Sequence, residues 1–495
     1  MDEIVKITFV RESVEAETRR GTQLSDVMRG AGIPLEMPCN GMGVCGKCLV
    51  RVRGKSDEKS VQACTFLVME DVRVLTPPPK GESLPVDRGR RVEFEADGGV
   101  VGTGVAVDLG TTVFSVCLVS GAGETLAKAS CLNPQTEYSG DVLTRAGWCR
   151  GRPDHLEKLR RLAVEALNGL IDDMLASATA DRNTIHRVAV AGNTVMQHIF
   201  AGVDPTPLTH FPFRPVFEGP LDVPVRDLRV GSDVRVSLLP CISAFIGGDI
   251  VAGVIASGFA STEKNGLFID IGTNGEIVLR LNGKMYGTST AAGPALEGMN
   301  ISCGVRAVPG AVERAFVDER GELAFRTIGN EPPVGICGSG LIDLTAALLR
   351  MGILDETGFL KGCPGGKYHL TEDIFLSQKD FRQIQLAKGA IAAGIKILLE
   401  AAGGVYGTLD SVDIAGAFGF HLNFESLRAI GLIDEAFQGE VRFAGNTSLE
   451  GATLWLLSRK IRDEMVSVAR LIEPVELSGR TDFQNAFVRE LNFPR

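Results

Sequence analysis

The stretch that most constrains this chain is Leu267-Phe-Ile-Asp-Ile-Gly-Thr-Asn-Gly-Glu276. Leu267, Phe268 and Ile269 form an apolar run of strand character, and Asp270 stands at its end. Gly272 and Gly275 permit a tight turn, in which Thr273 and Asn274 present backbone N–H groups and short polar side chains. A strand that delivers an acid to a glycine turn suits a nucleotide phosphate: the backbone approaches the oxygens, and the acid holds Mg²⁺ through water. Alone the pattern is weak, because Asp-x-Gly-Thr also occurs in ordinary hairpins. The device recurs upstream. Val105-Ala-Val-Asp-Leu-Gly-Thr-Thr112 is again an apolar strand, Asp108, Gly110 and two hydroxyls, followed by a second apolar run through Val119. Two copies so far apart in one chain predict two similar lobes facing a shared phosphate.

Together with a later segment, Asp413-Ile-Ala-Gly-Ala-Phe-Gly419, the pair resembles the actin/sugar-kinase/Hsp70 ATPase superfamily, a ribonuclease H-like fold. The resemblance implies that Asp108, Gly110, Thr111 and Thr112 form the first phosphate loop. Asp270, Gly272, Thr273, Asn274, Gly275 and Glu276 then form the second, with Gly416 and Gly419 beside adenosine. Gly335-Ile-Cys-Gly-Ser-Gly-Leu-Ile-Asp343 is a glycine turn leading directly into an apolar helix. The N–H groups of Gly338, Ser339 and Gly340 make an anion site by geometry. Ser243-Ala-Phe-Ile-Gly-Gly-Asp249 precedes a helix running into the second loop. By resemblance it is the first connection between lobes, which makes Asp249 a candidate to position the attacking water; helix capping is the competing reading.

The N-terminal segment carries different chemistry. Val5, Ile7 and Phe9 alternate with polar neighbours as in a strand, and Leu24, Val27 and Met28 mark a short amphipathic helix that Gly30 and Gly32 stop. Cys39, Cys45 and Cys48 follow in a glycine-rich loop, Val50 and Val52 suggest another strand, and Cys64 lies beyond, giving C-x5-C-x2-C-x15-C. Four thiolates fit tetrahedral zinc or an iron–sulfur cluster. Zinc sites usually offer two tight Cys-x-x-Cys knuckles, and only Cys45 and Cys48 form one. The segment resembles [2Fe-2S] ferredoxins of the plant/adrenodoxin type on a β-grasp scaffold. It departs from them in a first gap of five residues rather than four and in an early Cys64.

At 495 residues the chain exceeds one ordinary core. The cysteine-bearing part is assigned to residues 1–77, a linker of prolines and charged residues to 78–100, and the ATPase to 101–495, with lobes at about 101–265 and 266–495. The expected fold class is therefore mixed, an α+β ferredoxin-like domain followed by an α/β ATPase. A net charge of −10 disfavours nucleic acid or an anionic membrane as partner. The acidic start is unlike a signal peptide. The longest apolar stretch, Ser243 to Ala260, is interrupted by Asp249 and glycines, so no span is expected. A cytoplasmic location follows, with the 11 cysteines as ligands or buried thiols rather than disulfides. Cysteines 117, 131, 149, 241, 303, 337 and 363 show no close pairs and read as small buried hydrophobes, without a second cluster.

Elsewhere, Glu137, Asp141 and Arg145 either approach the cleft or form a solvated turn and helix start. Leu156, Leu159, Leu162, Ala166, Leu170 and Met174 repeat as one face of a long helix opened by Pro153. Val188-Ala-Val-Ala-Gly-Asn-Thr194 is another strand ending in a glycine turn, and His198 after it reads as a hydrogen-bonded structural residue. A helix begins near Gln378 and runs through Leu399, and a final helix from Thr447 to about Val468 closes the second lobe.

A ferredoxin joined to an actin-like ATPase resembles the ATP-dependent reductive activators of corrinoid enzymes. Besides the cysteines and phosphate loops, Gly-Asn-Thr-x-Met-x-His, Gly-Ile-Cys-Gly-Ser-Gly and Gln-Lys-Asp carry the likeness, which spans nearly the whole chain. Little chain separates the cysteines from the first loop, so the extra middle domain of longer members is expected to be absent or minimal. The resemblance implies an ATP-hydrolysing enzyme with a [2Fe-2S] cluster, ATP and Mg²⁺ as cofactors. Its partners would be an upstream electron donor and a corrinoid protein of a methyltransferase system, whose Co(II) is returned to Co(I); a homodimer is also open. A plant-type cluster sits near roughly −400 mV, and the cobalt couple is expected to lie lower, so ATP must assist the transfer. Three other readings remain: a small-molecule kinase with a regulatory iron–sulfur domain, an activator of 2-hydroxyacyl-CoA dehydratases, and a chaperone-like module. The second is disfavoured because its cluster ligands would lie within the ATPase fold, where this chain has no such pair.

Overall fold

Alternation of buried Val5, Ile7 and Phe9 with exposed neighbours makes β1 (Ile4–Phe9) a one-faced strand, as the pleat requires. The computed structural model describes residues 4–10, 14–33, 48–54, 58–75, 94–97, 102–224, 227–231, 234–416 and 422–494. Cys39, Cys45 and Gly419 lie outside the described residues. After β1 come β2 (Val14–Arg19), β3 (Thr22–Gln23), α1 (Leu24–Gly30), β4 (Leu49–Arg53), β5 (Glu58–Gln62), β6 (Leu67–Val68) and β7 (Val72–Leu75). The main sheet has the order β2-β1-β7-β4-β5, with β1 and β7 parallel and the other pairs antiparallel. Leu24, Val27 and Met28 of α1 pack with Ile7, Phe9, Val50, Val52 and Val74, an arrangement of the β-grasp kind. Burying a side chain such as Phe9 stabilises the domain by roughly 1.5–3 kcal/mol.

The first lobe comprises β8 (Thr103–Leu109), β9 (Val113–Ser120), β10 (Thr125–Leu132), α2 (Val142–Trp148), α3 (Pro153–Ala178), β11 (Ile185–Gly192), α4 (Thr194–Ala201), β12 (Leu221–Val223), β13 (Arg235–Leu238) and α5 (Gly248–Ala256). Its sheet runs β10-β9-β8-β11-β13-β12. Strands β8, β9 and β10 form an antiparallel meander, and β11 joins β8 in parallel.

The next segment repeats that plan: β14 (Gly266–Ile271), β15 (Gly275–Leu281) and β16 (Lys284–Thr290) form a meander. The smaller elements β17 (Ala311–Val317), β18 (Leu323–Thr327), β19 (Gly335–Ile336), α6 (Gly338–Arg350), β20 (Lys367–His369) and β21 (Phe375–Ser377) intervene. Then α7 (Gln378–Ala402), started by a Ser377/Asp380 capping box, leads to β22 (Ser411–Ala415), which pairs with β14 in parallel. The chain ends through α8 (Phe424–Ala429), β23 (Glu440–Gly445), α9 (Thr447–Leu457), α10 (Arg459–Leu471), β24 (Ile472–Pro474) and α11 (Thr481–Glu490), and the second sheet reads β23-β22-β14-β15-β16-β24.

A shared core joins the two sheets. Ala106, Cys117, Ala189 and Ala191 from the first and Phe268, Val278 and Met285 from the second meet the apolar faces of α5 and α9 between them. The single helix expected from Thr447 to about Val468 is in fact two. Ser458 adopts an extended backbone and its hydroxyl caps α10, which turns the chain between α9 and α10. That junction also holds the end of the proline-rich segment: Asp97 donates its N–H to Leu457 O at 2.8 Å and accepts from Arg459 N at 2.8 Å and Arg462 at 2.6 Å. No helix among the described residues is long and apolar enough to cross a membrane.

Candidate nucleotide cleft

The duplicated meander sets Asp108 and Asp270 at matching positions. Asp108 ends β8 opposite Ala191 of β11, and Asp270 ends β14 opposite Ala415 of β22. On the first side, the loop after Asp108 is held from behind. Asn133 donates to Gly110 O and Thr111 O, each at 3.0 Å, and Arg145 donates to Thr111 O at 3.1 Å. Asn193, which caps α4, also donates to Thr111 Oγ1 at 3.0 Å. Asp108 itself accepts from Asn446 Nδ2 at 2.8 Å and Ser448 Oγ at 3.0 Å. On the second side, Gly272 N bonds Asn274 O at 2.9 Å to close the turn, and Ser289 Oγ donates to Glu276 at 3.3 Å. The two loops then touch: Thr112 Oγ1 lies 2.7 Å from Thr273 Oγ1, and Thr273 donates to Glu297 Oε2 at 2.9 Å.

Five carboxylates face this junction: Asp108, Asp249, Asp270, Glu276 and Glu297. Burial raises the pKa of each, and repulsion from neighbouring acids adds to it for all but Asp108. Asp249 is pushed up to about 7 by burial and the Asp108 charge. Glu297 is pushed up to about 7 chiefly by burial. Asp270 and Glu276 rise well above the carboxylate range through burial and neighbouring acids, and Asp108 rises through burial despite its two hydrogen bonds. Holding such a set ionised at neutral pH calls for a cation. Among the described residues no three Asp, Glu, His or Cys side chains are close enough to cage a metal directly. That donor set fits a hydrated divalent ion such as Mg²⁺, which keeps several of its waters.

The remaining candidates fall into place as follows. Gly416 follows β22 directly with φ +115°, and a Cβ there would lie 2.3 Å from Ile271 O and 3.3 Å from Asp270 Oδ1. Only glycine fits so close to the second loop. Asp249 lies in the first turn of α5 and does not cap it. The cap is Gly247, and Asp249 Oδ1 accepts from the N–H of Ile250 at 2.9 Å. Gly338, Ser339 and Gly340 do open a helix, but no hydrogen bond joins them to the carboxylates among the described residues. Ser339 Oγ donates instead to Glu313 O at 2.9 Å. His198 is structural: Nε2 accepts from Val216 N at 3.0 Å, so Nδ1 carries the proton donated to Thr194 O at 2.7 Å. Burial lowers its pKa to about 4.

In the N-terminal domain Cys48 and Cys64 are buried with their sulfurs 3.2 Å apart. That exceeds a disulfide bond of about 2.05 Å. Two thiolates on one tetrahedral metal at about 2.3 Å would stand roughly 3.7 Å apart. The pair is unbonded and lies within about half an ångström of the spacing of two ligands on one metal atom.

Sequence reading missed Glu297, Asn446, Ser448 and Asn133. Glu297 closes Ala291-Ala-Gly-Pro-Ala-Leu-Glu-Gly298, where a lone acid after small residues carries no periodic signal. Asn446 caps α9, and its reach to Asp108 spans 338 residues of chain. Of the undecided trio, Asp141 caps α2 and Glu137 is exposed. Arg145 is fully buried beneath the first loop, its pKa lowered to about 10 by burial.

These features define a two-lobed ATPase of the actin/sugar-kinase/Hsp70 kind behind a small β-grasp domain. Family models agree segment by segment: a 2Fe-2S iron–sulfur cluster binding domain matches residues 7–69, the RACo middle region 103–262, and the C-terminal domain of RACo, the ASKHA domain, 264–495. The chain is built of a 2Fe-2S domain and RACo-family domains, and the middle-region match begins at residue 103, where β8 starts, and covers the first lobe. It is 27% identical to the corrinoid activation enzyme RamQ of Eubacterium limosum, over 99% of each chain. It is 26% identical to the [Co(II) methylated amine-specific corrinoid protein] reductase of Methanosarcina barkeri, over 79% of this chain and 77% of the other. A solved reductive activator for corrinoid, iron–sulfur protein superposes with a TM-score of 0.76 at 28% identity, covering 99% of this chain and 98% of that one.

Proposed function

We propose that this protein is an ATP-dependent reductive activator of a corrinoid protein in a methyltransferase system, passing one electron from a [2Fe-2S] cluster to Co(II) to regenerate Co(I). The observation that carries the reading is the union in one chain of a 2Fe-2S-type domain with a cleft where hydroxyls of two phosphate loops meet. Relatives aligned over 99% of the chain are named as a corrinoid activation enzyme and a reductive activator for corrinoid, iron–sulfur protein, which supports this reading.

Cys39, Cys45, Cys48 and Cys64 hold the cluster, which supplies a one-electron carrier when bound. Asp108 and Asp270 would hold Mg²⁺, which would offset the phosphate charge, and Glu276 adds to the negative field. Gly110, Thr111, Thr112, Gly272, Thr273, Asn274 and Gly275 surround the phosphates, with Gly416 and Gly419 beside adenosine. Gly338, Ser339 and Gly340 offer helix N–H groups to a further anionic oxygen. Asp249 orients the attacking water from the start of α5. An upstream donor reloads the cluster in the cytoplasm, and two chains associate as a homodimer. Residues 1–77 and 101–495 act as separate domains across the 78–100 linker.

The test is the visible spectrum of a Co(II) corrinoid protein mixed with this chain and a reductant. Co(I) should form with MgATP and not with MgADP. A small molecule that is phosphorylated at the same rate as ATP is consumed, with no change at cobalt, would favour the kinase reading instead.

A further inference from the structure

Among the five cleft carboxylates, Glu297 has a distinct arrangement. Asp108 is held by residues of the α9 start, Asp249 by its own helix, and Glu276 by Ser289 on the neighbouring strand. Glu297 alone is bonded to the hydroxyls that join the two lobes. Thr273 gives its proton to Glu297 Oε2 at 2.9 Å, so the 2.7 Å contact between Thr112 and Thr273 must be donated by Thr112. The threonines belong to loops 161 residues apart, and both are buried. The result is a three-member chain from the first lobe, through the second, to one carboxylate.

The backbone fixes that carboxylate. Glu297 ends a short turn, Pro294–Glu297, and the following Gly298 takes φ +75°. A Cβ on Gly298 would lie 2.5 Å from Val305 O, so the turn cannot relax by exchanging that glycine. Glu297 Oε1 also lies 3.6 Å from the point where a Cβ on Gly272 would sit, which puts the carboxylate against the second phosphate loop.

We propose that Glu297 is a positioning residue for ATP hydrolysis, fixing the orientation of Thr112 and Thr273 and thereby the registry of the two phosphate loops. This rests on the ATPase reading above. With its acceptor in place, both hydroxyl protons are committed and the oxygens have a single orientation toward the phosphates and their cation. Without it, Thr273 loses its acceptor and the hydroxyls rotate independently. Misplacement of a reacting group by about an ångström costs on the order of 100-fold in rate. Burial lifts Glu297 towards neutrality, and the hydrogen bond from Thr273 pulls it back towards the ionised, accepting form.

The test is steady-state ATP hydrolysis by the full chain. Glu297→Ala should lower kcat roughly 100-fold and Glu297→Gln, which keeps an acceptor without the charge, about 10-fold. KM for ATP should move less than about 3-fold in both, because Glu297 acts on the hydroxyls and not on the nucleotide. Thr273→Val should resemble Glu297→Ala, and the double variant should be no worse than the more damaged single, since all three groups act as one unit. Should Glu297→Ala fail to fold, Glu297→Gln and Thr273→Val carry the test. Wild-type turnover in Glu297→Ala, a loss confined to KM, or losses that multiply in the double variant would each overturn the proposal. Wild-type protein that hydrolyses no ATP would instead remove the ATPase reading, and this proposal with it.

Discussion

Asp108 and Asp270 end equivalent strands in equivalent registers, yet their surroundings differ. Both oxygens of Asp108 are taken by Asn446 and Ser448, at the start of the helix packed between the lobes. Asp270 receives no hydrogen bond from the described residues, and burial, Asp249, Asp108 and Glu297 all raise its pKa. A duplicated meander reproduces where an acid stands and leaves its partners to the rest of the chain. One acid would meet a cation while tied to the interlobe scaffold, and the other would meet it with no protein partner among the described residues.

The largest effect should come from the untied acid. Asp270→Ala is expected to lower ATP turnover about a thousandfold or more while raising the melting temperature, because it removes a carboxyl whose ionised form is disfavoured. Asp108→Ala should also stop turnover but lower stability by about 1–3 kcal/mol, as Asn446 and Ser448 lose a buried acceptor. Melting curves that shift in the same direction for both variants would break the comparison.

A second contrast sets the cleft against the cysteines. Cys48→Ala or Cys64→Ala should abolish the iron-dependent absorbance of anaerobically reconstituted protein and leave ATP turnover in place. Stoichiometric zinc without iron-dependent colour in wild-type protein would refute the cluster assignment.

The acid set also dictates a pH dependence. Burial pushes Asp249 and Glu297 up to about 7 in the folded chain, from ordinary values of 3.8 and 4.5. Between those limits the folded chain binds more protons than the unfolded one, so stability is greatest below about pH 4 to 5 and falls as pH rises towards 7. Thermal melts from pH 5 to 8 should show this decline, and Mg²⁺ should flatten it by neutralising the ionised set. A decline unchanged by Mg²⁺ would argue against a cation at these acids.

The smallest effect belongs to Asp97, whose carboxyl is held below its usual range by the Arg459 N–H and by Arg462. Asp97→Asn should lower stability by less than about 1 kcal/mol near neutral pH, since the pair is partly exposed. The difference should begin to shrink as pH falls below about 4 and vanish only below the lowered folded pKa, where the native carboxyl is itself protonated.

Much of this was legible in the sequence because it is local. An apolar run, an acid and a glycine turn announce each phosphate loop within ten residues, and the period-2 and period-3.6 patterns mark the strands and long helices. What stayed hidden is what long-range contacts create. Nothing near Ser448 says that its hydroxyl meets Asp108, and nothing near Glu297 says that it touches Thr273. The break at Ser458 was missed for a different reason: the apolar positions continue across it, and a single serine can sit inside a helix as readily as cap one.

The most direct test follows cobalt in a Co(II) corrinoid protein mixed with reductant, MgATP and either the wild-type chain or Asp270→Ala carrying an intact cluster. The account predicts that wild type generates the Co(I) spectrum, while Asp270→Ala, with an unchanged cluster spectrum, generates none above the ATP-free rate. Co(I) formed by Asp270→Ala as fast as by wild type would contradict it.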